Sequence, residues 1–183
     1  MPHIHIDRDQ HDFTATAYII RTDGDEPRAL LHMHKKLGRL LPVGGHIELD
    51  ETPWGAMAHE LEEESGYRLD QLKVLQPYDT RITPKTETVH PLPFSINTHE
   101  IPSDELHWHT DMGYLFITSS APASTLADGE SADLRWLTHD EVAVLGDEAV
   151  FGITKVNYLL IFDTLLSSWQ QFDATDYRTD KRR

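Results

Sequence analysis

The stretch Gly45 to Tyr67, GHIELDETPWGAMAHELEEESGY, decides how the rest of this chain is read. Its later half packs four glutamates, Glu60, Glu62, Glu63 and Glu64, into five successive residues. Thr52 is a good N-cap, Pro53 suits a first helical turn, and Gly66 suits the left-handed residue that ends a helix. The spacing therefore predicts a helix over 53–65. Advancing each residue by about 100° places Trp54, Met57, Ala58, Leu61 and Ser65 on one mostly apolar arc. Glu60, Glu63 and Glu64 fall on the adjacent arc, and Glu62 points elsewhere, towards solvent. Like charges three or four residues apart on a helix repel by roughly 0.2–0.5 kcal/mol per pair. A helix that had only to fold gains nothing from this crowding, whereas a divalent cation reverses its sign, because hard cations take carboxylate oxygens. The pair Gly44-Gly45 follows the apolar run Leu40 to Val43. A strand, a glycine turn and an acidic helix set backbone carbonyls beside carboxylates. Such mixed oxygen ligation suits magnesium or manganese.

The same stretch resembles the Nudix box, the signature of the Nudix hydrolases. That pattern is Gly, five residues, Glu, seven residues, Arg-Glu, an apolar residue, any residue, Glu-Glu, any residue, Gly, apolar. Gly45, Glu51, Glu60, Leu61, Glu63, Glu64, Gly66 and Tyr67 are in register, and His59 stands where the family has Arg. Asp50 occupies a position where many members have Gly. The resemblance implies that Glu60, Glu63 and Glu64 bind Mg2+ or Mn2+, beside a carbonyl of Gly44 or Gly45. It implies that Glu51 supports the loop and helix. The family Arg orients a catalytic glutamate, so His59 would do this through a weaker, pH-dependent hydrogen bond. It also implies a Nudix-type α/β/α sandwich with a mixed central sheet.

Composition sets further bounds. A chain of 183 residues with 39% hydrophobic residues reads as one soluble globular domain, and its tail, residues 173–183, as polar and frayed. No apolar run approaches the ~20 residues of a membrane span, and the N-terminal MPHIHIDRDQ has no signal-peptide pattern. The absence of cysteine excludes thiol chemistry and fits a cytoplasmic protein. It also argues against isopentenyl diphosphate isomerase, which shares the box but uses an active-site cysteine. A formal net charge of −15 disfavours nucleic-acid polymers and anionic membranes as partners, but not a small phosphorylated substrate whose site carries divalent ions.

Strands are expected at Phe13–Ile20, Ala29–His34, Leu40–Val43, Leu69–Gln76, Phe94–Ile101, Gly113–Ser119 and Asp133–Leu137. Thr138 is expected to cap a helix from His139, and Lys155–Gln170 reads as a long helix with an apolar face of Val156, Leu159, Leu160, Phe162, Leu166 and Trp169. That helix packs on its own sheet or on a second subunit of a homodimer. Outside the box, Glu130 lies shortly before Trp136, in a region that looks like the further metal-binding or catalytic Glu of MutT-related members. His107, His109 and Asp111 share one side if they lie on a strand, as candidates for substrate or metal contact. Lys35, Lys36 and Arg39 form a basic loop able to hold phosphate oxygens. Selectivity is expected from the long segments 77–93 and 98–111. The combined reading is a metal-dependent hydrolase of the pyrophosphate bond in a nucleoside diphosphate linked to another moiety, with Glu60, Glu63, Glu64 or Glu130 as base. The alternative is a non-catalytic Nudix domain that senses a nucleotide.

Overall fold

A computed structural model describes residues 10–81, 87–101 and 107–180. Among these residues nine strands form one mixed sheet, with the order β3-β2-β1-β7-β5-β9 along its main path. β1 (His11–Arg21) is the spine, pairing in parallel with β7 (His107–Thr118) from His11↔Trp108 to Arg21↔Thr118. At its far end β1 pairs with β2 (Arg28–His34), and near its start with β4 (Val43–His46), both antiparallel. The sheet therefore splits along β1, with β3 (Arg39–Leu41) carried on β2. β5 (Lys73–Gln76), β6 (Ser95–Ile101), β8 (Leu134–Leu137) and β9 (Gln170–Asp173) complete it.

Alternation along β1 produces two cores. Ala15, Ala17 and Ile19 face α1 (Pro53–Ser65), with Trp54, Met57 and Leu61 behind them. Tyr18 and Ile20 face the opposite layer. That layer holds α2 (His139–Ala143) and α3 (Gly152–Leu160), which runs through a π-helical turn, Ile161–Leu165, into α4 (Leu166–Ser168). The mixed sheet between helical layers is the expected α/β/α arrangement. The α1 caps also match. Thr52 Oγ1 accepts from the Gly55 amide at 3.0 Å, and Gly66, at φ 72°, donates its N–H to the Glu62 carbonyl. A Cβ on Gly66 would stand 2.3 Å from the Ser124 carbonyl oxygen, so glycine is required there by space as well as by conformation.

Four expectations are corrected. Leu69–Gln71 is a 3-10 turn rather than strand, because the Gln71 side chain accepts from the Arg68 amide and closes it; only Lys73–Gln76 is extended. β7 begins at His107, six residues before Gly113, because β1 and β6 hydrogen-bond it on both sides. The long helix starts at Gly152, ends at Ser168 and contains a π turn, which adds a residue and rotates the buried face. Tyr158, Ile161 and Leu165 point inward, while Val156 and Leu160 are exposed.

The last correction concerns the tail. Phe172, Ala174 and Tyr177 are buried, the Tyr177 ring lies against Trp54, and Thr52 Oγ1 donates to the Thr179 carbonyl. Residues 181–183 lie outside the described residues. The tail is held because the Trp54 face of α1 needs cover that the sheet alone does not supply. Tyr177→Ala is expected to lower unfolding stability by about 2–4 kcal/mol in urea titrations, against a few tenths for a frayed tail.

Candidate active site

α1 delivers its glutamates unequally. Glu60 and Glu64 are buried, Glu63 is half-exposed at the helix edge, and Glu62 points outward to accept from Ser124 Oγ. The carboxylate face expected beside the apolar face is thus partly inside the protein. The reason is the split in the sheet, since α1 packs against both β1 and β4. Gly44 sits on β4 opposite Thr16, and its amide donates to Glu64 Oε2 at 2.9 Å. A Cβ at Gly44 would lie 2.3 Å from the Ala15 carbonyl oxygen, so only glycine permits this approach of strand to strand. The sequence suggested a carbonyl of the glycine pair near the carboxylates; the contact seen here is an N–H donor.

Glu130 joins them from a distant loop. That loop is laced to the end of α1: Ser124 N–H donates to the Gly66 carbonyl, and Ala127 N–H to the Glu63 carbonyl, each at 2.9 Å. Lys35 Nζ closes it from the other side by donating to the Gly129 and Glu130 carbonyls. The charge of Glu130 then raises the pKa of both Glu60 and Glu64.

Burial pushes the Glu60 carboxyl up to about 7; His59 opposes this, while Glu63, Glu130 and Glu51 add to it. Burial pushes Glu64 up to about 8, partly offset by the Gly44 N–H and reinforced by Glu60 and Glu130. No lysine or arginine among the described residues pairs with these three carboxylates. His32 on β2 stands with Nε2 3.9 Å from Glu64 Oε2. Burial, aided by His34, drives its pKa down to about 4, so it is neutral near pH 7 and gives the carboxylate no counter-charge. Only its alternation with the core residue Leu30 on β2 would have pointed it towards α1. A buried set of carboxylates short of positive charge is a donor set that fits a hard divalent cation.

His59 stands between two glutamates. Its Nε2 is 3.0 Å from Glu63 Oε1, and its Nδ1 is 3.5 Å from Glu51 Oε1. Partial burial lowers its pKa, but attraction to Glu63, Glu51 and Glu60 outweighs this and the net shift is upward. The basic loop is less concentrated than expected. Lys36 is exposed in the turn after β2, Lys35 holds the Glu130 loop, and the Arg39 guanidinium lies 4.5 Å over the Phe151 ring. His107, His109 and Asp111 do share one face of β7, opposite the face covered by α1. Asp111 Oδ1 accepts from both Thr14 and Thr16, at 2.9 and 2.6 Å. Phe94 packs edge-on against Tyr18. Parts of the two segments expected to set selectivity, residues 82–86 and 102–106, lie outside the described residues.

The NUDIX domain family model matches residues 12–154, and the chain belongs to the Nudix family. No curated protein matches it. A NUDIX-family hydrolase from Clostridium perfringens is 26% identical over 84% of this chain and 97% of its own, with a TM-score of 0.68. The Ap4A hydrolase of C. elegans, in a binary complex, shares the fold at 16% identity, over 85% of this chain and 98% of its own, with a TM-score of 0.58. The NUDIX domain of Shewanella oneidensis NrtR, complexed with ADP ribose, does so at 15%, over 81% and 84%, with a TM-score of 0.53. No helix among the described residues is long and apolar enough to cross a membrane.

The raised carboxyl pKa values fix a sign. Between the unfolded value of 4.5 and about 8, the folded protein holds protons on Glu60 and Glu64 that the unfolded chain has released. Stability of the metal-free protein is therefore expected to fall as pH rises through this window. A divalent cation binds the ionised forms, so magnesium should raise Tm more at the alkaline end than at the acid end. Thermal melts in chelator and in magnesium measure this, and Glu64→Gln should flatten the chelator curve.

Proposed function

We propose that this protein hydrolyses the pyrophosphate bond of a nucleoside diphosphate linked to another group, in the cytoplasm, with magnesium or manganese as cofactor. One observation carries the reading: Glu60 and Glu64 are buried together on α1, with Glu64 held by the Gly44 amide of β4, and Glu130 comes to them from a separate loop. A purely structural helix has no reason to bury two carboxylates short of positive charge. Glu60, Glu63, Glu64 and Glu130 would hold the ions. When bound, these would neutralise the pyrophosphate, polarise one phosphorus and ease the ionisation of an attacking water.

The remaining work falls to the chain's own groups. The Gly44 amide holds Glu64 by one oxygen and leaves the other for ligation. His59 holds Glu63 in the same one-sided way, with Glu51 bracing the imidazole from behind. One glutamate of the set accepts the proton of the attacking water. Lys36 contributes positive charge for phosphate at the rim, and His107, His109 and Asp111 are candidate substrate contacts on the other sheet face. The products are two phosphate monoesters, or a monophosphate and pyrophosphate from a triphosphate.

Ap4A and ADP-ribose, the compounds named with two structures of this fold, head the panel to test, followed by nucleoside triphosphates. Turnover is expected only with magnesium or manganese, and Glu63→Gln is expected to lower kcat by about 100-fold or more. Metal-dependent nucleotide binding without turnover of any compound would replace this reading with that of a nucleotide sensor. The histidine at the Arg position adds a second signature. Its bridge to Glu63 is complete when the imidazole is protonated and is lost as pH rises through its raised pKa. His59→Arg is therefore expected to hold kcat more nearly constant on the alkaline side of the pH profile, where the wild type declines.

A further inference from the structure

A second group of ligand-bearing side chains lies on the sheet face turned away from α1. Ala15 and Ala17 of β1 belong to the core under α1, so Asp12, Thr14 and Thr16 point the other way. In the parallel ladder Asp12 is the direct partner of His109, and His107 is two residues before it on the same side of β7. Asp12, His107 and His109 each offer one ligand atom, and these atoms lie within 4.8 Å of one another. Among the described residues no other three His or carboxylate groups converge so closely, the glutamates of α1 included.

The distances fit a particular ion. Two imidazole nitrogens bound tetrahedrally at about 2.0–2.1 Å stand about 3.3–3.4 Å apart. His107 Nε2 and His109 Nε2 are 3.3 Å apart. Asp12 is only 5% exposed, and its Oδ2 is sealed from solvent and accepts no hydrogen bond. His46 Nε2, on β4, is 3.5 Å from that oxygen. Buried carboxylate oxygens are ordinarily matched by donors, counter-charges or metal ions. Asp111, which the sequence grouped with the two histidines, is not the third ligand: its Oδ1 is taken by Thr14 and Thr16. Asp12 takes that place because the parallel pairing of β1 and β7 joins segments far apart in the chain.

We propose that Asp12, His107 and His109 bind one zinc-class divalent ion, separate from the magnesium expected at the glutamates. Two imidazoles and one carboxylate favour zinc over magnesium, which prefers an all-oxygen shell. Three protein ligands leave a coordination position open to water or to an oxygen of a bound molecule. The site ties the first strand of the sheet to the start of β7, and it does not depend on whether the protein hydrolyses nucleotides.

The test is zinc binding to the full chain, stripped with chelator and held in excess magnesium so that the glutamates are occupied. One zinc per chain is expected, with a rise in Tm, and cobalt in its place should give the visible absorption of a tetrahedral nitrogen-containing site. Asp12→Asn and His109→Gln should each weaken zinc binding at least about tenfold, since loss of a residue that merely orients a ligand already does so. Glu63→Gln should leave zinc affinity unchanged. Asp12→Asn keeps the size of the side chain and removes a buried charge, so it serves if His109→Gln does not fold. The proposal is overturned if the wild type takes up no zinc, if Asp12→Asn binds it as tightly as the wild type, or if Glu63→Gln abolishes binding. In the first case the 3.3 Å contact is a hydrogen bond between two imidazoles and nothing more.

Discussion

The desolvation of Glu60 and Glu64 is the constraint around which the rest of this protein is arranged. Two carboxylates less than a tenth exposed, without a lysine or arginine partner among the described residues, cannot both ionise cheaply near neutral pH. The fold tolerates this because everything around them is held from elsewhere. Trp54, Met57 and Leu61 anchor α1 on the sheet, and the Thr52 and Gly66 caps set where the helix begins and ends. The Gly44 amide supplies the one backbone donor to Glu64. The stabilisation lies in the apolar face, and it is spent on holding an electrostatically strained face beside it.

Glu130 illustrates how far the support extends. Nothing local in the 121–130 loop predicts a defined conformation, since it carries no helix or strand. Its shape is imposed by two backbone hydrogen bonds to the end of α1, by Ser124 on Glu62, and by the ammonium of Lys35 on two carbonyls. The basic residue that looked suited to phosphate is thus engaged in setting the position of an acidic one. Arg39, likewise, lies over Phe151. Cations beside an acidic site are read easily as substrate contacts, but in this chain two of the three have structural partners.

The two faces of the sheet carry different chemistry. The α1 face places carboxylates against the glycines of β4, whereas the opposite face carries imidazoles and two aspartates where β1, β4, β6 and β7 meet. Strand alternation makes this separation possible, since neighbouring residues of β1 serve opposite sides: Ala15 and Ala17 pack under α1, while Thr14 and Thr16 hold Asp111. The split of the sheet, with β2 and β4 pairing to different ends of β1, lets α1 sink far enough to bury its own glutamates.

Local features were legible in the sequence because their causes are local. The limits of α1 follow from Thr52, Pro53 and Gly66, its carboxylate arc from helical periodicity, and the capped start of α2 from Thr138. The box put His59 at the family's Arg position, but its place between Glu51 and Glu63 is seen only in the fold. Strand positions were read well wherever β-branched and aromatic residues dominated, as in β1. Tertiary structure alone decided which glutamates are buried, that His32 stands beside Glu64, that Lys35 holds the Glu130 loop, and that the polar tail docks on Trp54 through Tyr177. It also decided that Asp12, and not Asp111, joins the two histidines of β7. In each case the deciding interaction joins residues distant in sequence. It depends on which strands pair and in what register, and single-chain periodicity carries no information about either.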